Sequence, residues 1–437
     1  MKKKSIGVGL ASVMMVSMLA ACGSSNEAEK SESPSASPAA TNAASTAPAS
    51  DLKGKIKVLT HRTDYVNDGT LDGYVKKFKE KYPNAEVEFE GLTNYATDIK
   101  VRLTTGEAGD VNMLDGGMPT SDLPKYYEAL PDSLFENAYF ADVRELDGKR
   151  YGIATGVNTQ GIVYNKKAFK EAGIDKVPTT LDELYADAQK LKDKGIIPLY
   201  LNYGAQWPMT NWGINSYWYV DGNPKYTDTL IGTDTPFTVD GPYGKLVSIA
   251  REFVNKGWAE KDLSTNNWEM SKGEIASGKA AMYFLGNWVI PQVIGAGAAS
   301  EDIGFFPLPY DNTGKYNVPL GGDYFIGVSK DSKNKELATA WVEFFIKESS
   351  YAADSGFMPI YKDQEPAVPQ MAEFKSYNPN FIESTSTDPK FNEIANKAEI
   401  AVSTGSVEQE LVKAPDLQKA FDSINKKWAD ARKALGY

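Results

Sequence analysis

From Lys55 onward the chain alternates short β-branched runs with runs at helical spacing, and no other feature narrows the fold as far. Lys55 to Thr60 reads as a strand, and Leu71, Tyr74, Val75 and Phe78 mark a helix that stops at Pro83. Ala85 to Phe89 alternates as a strand, Tyr95, Ile99 and Leu103 recur every four residues, and Val111 to Leu114 is strand-like again. The order β-α-β-α-β predicts an α/β fold with a parallel-type sheet covered by helices on both faces.

Beyond this unit the pattern changes. Lys149 to Asn165 reads as two β segments broken by glycine, followed by a helix carrying Phe169. Thr180 and Glu183 form a capping box that opens a helix through Leu191. Further strands are predicted at 198–202, 280–285, 303–306 and 324–328, and further helices at 336–345 and 417–434. Trp258, Trp341 and Trp428 stand at helical spacing and are assigned to packing. No internal repeat is visible.

The only cysteine, Cys22, ends a short apolar run that begins after Lys2, Lys3 and Lys4. Residues 6–21 contain Gly7, Gly9 and several small positions, fewer apolar residues than the roughly 20 of a spanning helix. The segment therefore reads as a secretory leader over 1–21. Leu19-Ala20-Ala21-Cys22 resembles a bacterial lipobox, which implies cleavage before Cys22 and a diacylglyceryl group on its sulfur. With that thiol spent on lipid, none remains for a disulfide, a zinc site or a nucleophile, so the fold must stand on core packing. Residues 22–53 form the lipidated cysteine and a Ser/Ala/Pro-rich linker with no aromatic residue. As a coil, its length spans on the order of 30 Å. Roughly 385 residues follow, enough for two domains. Loss of the leader removes three lysines and no acids, taking the net charge from −11 to −14. Such a surface does not suit nucleic acid or anionic lipid.

Catalytic constellations are missing. His61 is the sole histidine, and no Gly-x-Ser-x-Gly elbow accompanies it. Residues 273–280 approach a phosphate-binding loop, but Ala280 replaces the hydroxyl residue and the following segment reads as a strand rather than a helix. Asp64, Asn67, Asp68 and Gly69 lack the alternate ligand spacing of a calcium loop. No cofactor or metal is expected. Acidic residues are too numerous for sequence to select a glycosidase pair.

Trp207, Trp212, Tyr217, Trp218, Tyr219 and Trp288 fall in segments with turn or loop punctuation. An indole face can stack on the C–H face of a sugar while amides and carboxylates meet its hydroxyls. Residues 55–64, the pair Gly109-Asp110, residues 152–165, residues 278–282 and Gly286-Asn287-Trp288 together resemble the family 1 extracellular solute-binding proteins, the sugar receptors of ABC importers.

The resemblance implies a two-lobed, type II periplasmic-binding-protein-like fold, each lobe a mixed sheet flanked by helices, joined by hinge strands. Lobe 1 would comprise 54–154 and 321–371, and lobe 2 would comprise 155–320 and 372–437. It implies ligand contacts from Arg62, Asp64 and Asp115 in the first lobe, from Asn158, Trp207 and Trp288 in the second, and from Asp323 and Tyr324 at a hinge crossing. Asn158 stands where the maltose receptor carries an acid, so a different hydroxyl pattern is expected. The implied protein is a monomer, exported and lipid-anchored to the outer face of the cell membrane. It would bind a mono- or oligosaccharide and serve ABC permease subunits without catalysing a reaction. A lipid-anchored polysaccharide-degrading enzyme and a receptor for a non-sugar solute are the competing expectations.

Overall fold

The computed structural model describes residues 51–437 apart from 94, 214–215 and 386–387. Cys22, the leader and most of the linker lie outside the described residues. Thirteen strands are assigned among them. The first sheet contains β1 (Gly54–Thr60), β2 (Ala85–Gly91), β3 (Val111–Met113), β6 (Ile153–Ala154) and β12 (Phe325–Val328), in the order β2-β1-β3-β12-β6. A short hairpin, β4 (Glu145–Leu146) with β5 (Lys149–Arg150), stands beside it in sequence.

β1 runs parallel to both β2 and β3, as the alternation requires. The helix Thr70–Lys81 turns Leu71, Tyr74 and Phe78 inward. Phe78 meets Trp341 of the helix Lys335–Lys347 edge-on, ring centres 5.1 Å apart. Tyr95 opens the helix Tyr95–Thr105 and is buried, yet its hydroxyl is satisfied. It donates to Met113 O at 2.9 Å and accepts from Met113 N at 2.8 Å. The Gly109-Asp110 pair completes the edge of β1. A Cβ on Gly109 would lie 2.6 Å from Lys57 O, while Asp110 accepts from Lys57 N and from the Ser332 hydroxyl.

The second sheet is built on β7 (Val157–Asn165), which pairs antiparallel with β9 (Ala280–Gly286), β10 (Ile303–Phe306) and β11 (Asn317–Gly322). β8 (Ile197–Leu199) joins β9 in parallel, and β13 (Asn380–Glu383) joins β11 in parallel. β9 is buried at every position, the pattern of a strand covered on both faces. The Thr180/Glu183 capping box is present and opens Leu181–Asp193. Trp341 and Trp428 are fully buried and Trp258 nearly so.

Three passages connect the sheets side by side. β6 leads through Thr155 and Gly156 into β7, and β11 leads through Asp323 and Tyr324 into β12. Asp323 N donates to Gly156 O and Thr155 N donates to Tyr324 O, each at 2.9 Å. Val157 and Met358 exchange both backbone bonds at 2.9 Å, adding a third passage. By Gln370, which donates to Ser300 O and Ile303 O, the chain is packed on the second sheet.

Two elements differ from expectation. The first sheet is mixed, as the family resemblance implies, rather than the purely parallel sheet the β-α alternation alone suggests, because β12 re-enters from the second sheet and pairs antiparallel with β3 and β6. The strand expected over 198–202 ends at Leu199. The buried Glu260 carboxylate accepts from Leu201 N and Tyr203 N, and Asn202 turns to φ 53°, so those amides leave the ladder.

Candidate functional site

Two cavities open between the sheets and share Asn158 and Trp288 as walls. The larger, about 400 Å³, is lined by Trp207, Trp218, Gln160, Asn211 and Ser384 among others. The smaller, about 280 Å³, is lined by His61, Arg62, Asp64, Tyr65, Asp323 and Ser355 among others. One is an indole-and-amide chamber and the other is a charged chamber. Both volumes are of the order of small-molecule sites, roughly 300–1,000 Å³.

Trp288 stands in a single turn after β9, and its position follows from its two predecessors. A Cβ on Gly286 would strike the indole at Nε1 and lie 2.5 Å from Cδ1, so glycine is what lets the ring lie against the strand end. Asn287 is fully buried. Its Oδ1 accepts from Thr159 N at 2.9 Å and its Nδ2 donates to Gly356 O at 2.7 Å, which ties the turn to β7 and to the third passage. Trp207 is 39% exposed and packs against Trp268 and Trp288 with ring centres 5.0 and 5.7 Å away. Asn158 lies on β7 opposite Gly321, whose absent Cβ would sit 2.7 Å from Asn158 Oδ1. Gln160, two residues on and therefore on the same face, donates to Asn211 Oδ1 at 2.9 Å.

The charged chamber begins at the carboxyl end of β1, where open α/β sheets place their ligands. Arg62 Nε and Nη2 hold both Asp64 oxygens at 2.9 and 2.7 Å, Nη1 donates to Ser355 Oγ at 2.8 Å, and the guanidinium covers the Tyr65 ring. Asp64 keeps 61% of its side chain exposed, leaving lone pairs free to accept. Asp323 accepts from Thr155 Oγ1 at 3.0 Å. Burial raises its pKa to about 6, with Thr155 and Arg62 pulling the other way. His61 is lowered to about 4, first by burial and then by the Arg62 charge.

The cavities thus bring together Arg62, Asp64, Asn158, Trp207, Trp288 and Asp323. Asp115 follows β3 but lines neither cavity. It is 7% exposed, faces Lys100 at 3.5 Å and accepts from Gly117 N. Tyr324 also lies off the walls, stacked on His61 with ring centres 4.0 Å apart. Trp212 and Tyr219, grouped by sequence with the loop aromatics, are buried. His61, Gln160, Asn211 and Ser355 were not singled out as ligand residues. For His61 a signal existed, since it directly precedes Arg62 at the end of β1. Ser355 reaches the site only through folding, 293 positions from Arg62.

Residues 64–352 match the family model described as bacterial extracellular solute-binding protein. The chain belongs to this family. Among relatives of this solute-binding protein, the multiple sugar-binding protein of Streptococcus mutans is 24% identical over 286 residues, 63% of this chain and 68% of the relative. The galactooligosaccharide-binding protein of Bacillus subtilis is 25% identical over 359 residues, 77% of this chain and 82% of the relative. A manno-oligosaccharide-specific solute-binding protein of Bifidobacterium animalis subsp. lactis, in complex with mannotriose, superposes with a TM-score of 0.77 at 28% identity. That match covers 88% of this chain and 96% of the other. The fold of this solute-binding protein is accordingly the type II two-lobed α/β fold, and the relatives and the structural neighbour named above are sugar-binding proteins.

Proposed function

We propose that this protein captures a short oligosaccharide outside the membrane, closes over it and delivers it to the permease of an ABC importer. The observation that carries this reading is the pair of chambers meeting at Trp288, with indole and amide groups on one side and carboxylates on the other. A stacked ring with hydroxyls at its rim needs that combination. Arg62, Asp64, Asn158, Trp207, Trp288 and Asp323 are proposed to touch the sugar. Asp115 and Tyr324 are proposed to support the loops that present these residues.

We place the lobe boundaries at 155–156 and 323–324 and the last one between Lys362, which still pairs with Asn137, and Gln370, rather than after residue 371. Cys22 anchors the monomer to the outer face of the membrane through its lipid, and the linker leaves the receptor free to dock. No bond is made or broken in this cycle.

The test is a thermal-shift screen over neutral di- and trisaccharides, with peptides and anions alongside. At least one saccharide is expected to raise the melting midpoint, by about 2.7 kcal/mol of stabilisation at a hundredfold excess over Kd. A response to peptide or anion alone, or release of reducing ends from a glycan, would overturn the reading.

A further inference from the structure

We propose that His61 is a hydroxyl-reading residue of the charged chamber, donating a hydrogen bond from Nε2 to the sugar unit held there. The inference rests on the sugar-receptor reading and deepens it. Three observations carry it.

The imidazole is held on two sides. Tyr324 stacks on it at 4.0 Å with ring planes 19° apart, and Tyr95 meets it edge-on at 6.2 Å. A ring fixed in this way presents one nitrogen in one direction, which is what selective recognition of a hydroxyl requires.

Neither ring nitrogen has a hydrogen-bond partner among the described residues, and Nδ1 is sealed from solvent. An unsatisfied buried N–H is costlier than a bare acceptor lone pair, so the proton belongs on Nε2. With Nδ1 closed off, Nε2 is the nitrogen through which the imidazole meets a molecule in the cavity it lines.

The chamber also supplies acceptors that complement this donor. Three Arg62 nitrogens are already committed to Asp64 and Ser355, and Asp64 and Asp323 supply acceptors. A hydroxyl both donates and accepts, so a carboxylate beside a fixed N–H matches it. Burial and the neighbouring Arg62 keep the imidazole neutral, which preserves one donor and one acceptor rather than two donors. At about 280 Å³ the chamber is of the order of a small-molecule site.

His61 is the only histidine in the chain, so its imidazole signals are unambiguous in the unaltered protein. The probes are mannotriose, galactotriose, maltotriose and raffinose, each titrated into protein labelled with nitrogen-15. On saturation with whichever binds, the Nε2 resonance is expected to shift and its proton to become protected from solvent exchange. His61→Phe, which retains a ring between Tyr95 and Tyr324, is expected to weaken that sugar roughly 3- to 10-fold, the loss of one hydrogen bond.

An Nε2 signal that ignores a bound sugar overturns the proposal while the receptor reading stands. So does His61→Phe with unchanged affinity and unchanged melting. If none of the four sugars binds while a peptide or an anion raises the melting midpoint, the receptor reading falls and the proposal with it.

Discussion

Burial moves two of the titratable groups around Arg62, Asp323 and His61, in opposite directions. Asp323 is raised to about 6 from the ordinary value near 3.9, and His61 is lowered to about 4 from near 6.5. For Asp323 the native state binds more protons between those values. Its contribution is therefore fully present below about pH 4 and is lost as pH rises through about 6. For His61 the unfolded state binds more protons, so its contribution is present above about pH 6.5 and is lost as pH falls through about 4. Between about pH 4 and 6 the two slopes oppose each other. Relative to the wild type, Asp323→Asn should gain melting temperature as pH is raised from 4 to 6 and then level off. His61→Phe should gain as pH is lowered from 6.5 to 4. Thermal melts of the three proteins across this range test the pair of signs, and parallel curves would refute both.

At the scale of the element, the segment from β9 to Trp288 shows what sequence can and cannot disclose. β9 was legible because an unbroken apolar run this short, bounded by turn residues, is too brief for a buried helix and fits a strand covered on both faces. The turn at Gly278 was equally legible, and the structure places it at the carboxyl end of the helix Trp268–Ala276, where a phosphate would meet the wrong end of the dipole.

What Gly286-Asn287 does was not legible, since it depends on partners far away in sequence: Thr159 on β7 and Gly356 on the third passage. The same holds for the shortened β8, where Glu260 decides the backbone from 59 positions beyond Leu201. Trp212 stands in the turn segment as expected yet faces inward, which turn punctuation does not reveal.

Gly286→Ala tests the element directly. The added methyl collides with the Trp288 indole, and the nearest backbone atom, Thr159 O, lies at 3.3 Å, so the ring rather than the strand has to yield. Sugar affinity is expected to fall at least tenfold while the unliganded melting midpoint falls by only a few degrees. Retained affinity would mean that Trp288 is not the stacking platform.

The three passages between the sheets govern what the whole molecule can do. Because Thr155–Gly156, Asp323–Tyr324 and Val157–Met358 are hydrogen-bonded to one another, they form a narrow ribbon rather than three independent links. A narrow ribbon of a few residues between two lobes is the kind of element about which hinge closure takes place. The charged chamber draws walls from both sides of the ribbon: Arg62 and Asp64 follow β1 of the first sheet, and Asn158 and Trp288 belong to the second. On the proposed reading a sugar contacts both walls fully only in the closed form, so its differential affinity would shift the population toward closure. If the unliganded protein is mostly open, its apparent affinity is the intrinsic one reduced by the closed fraction. Small-angle scattering should then show the radius of gyration falling as sugar is added, saturating with the same midpoint as tryptophan quenching. The melting midpoint should continue to rise after both have saturated, because stabilisation grows by about 1.4 kcal/mol for each further tenfold excess of sugar. A radius that stays constant while fluorescence saturates would show that the cleft is preformed and that the ribbon is a brace instead of a hinge.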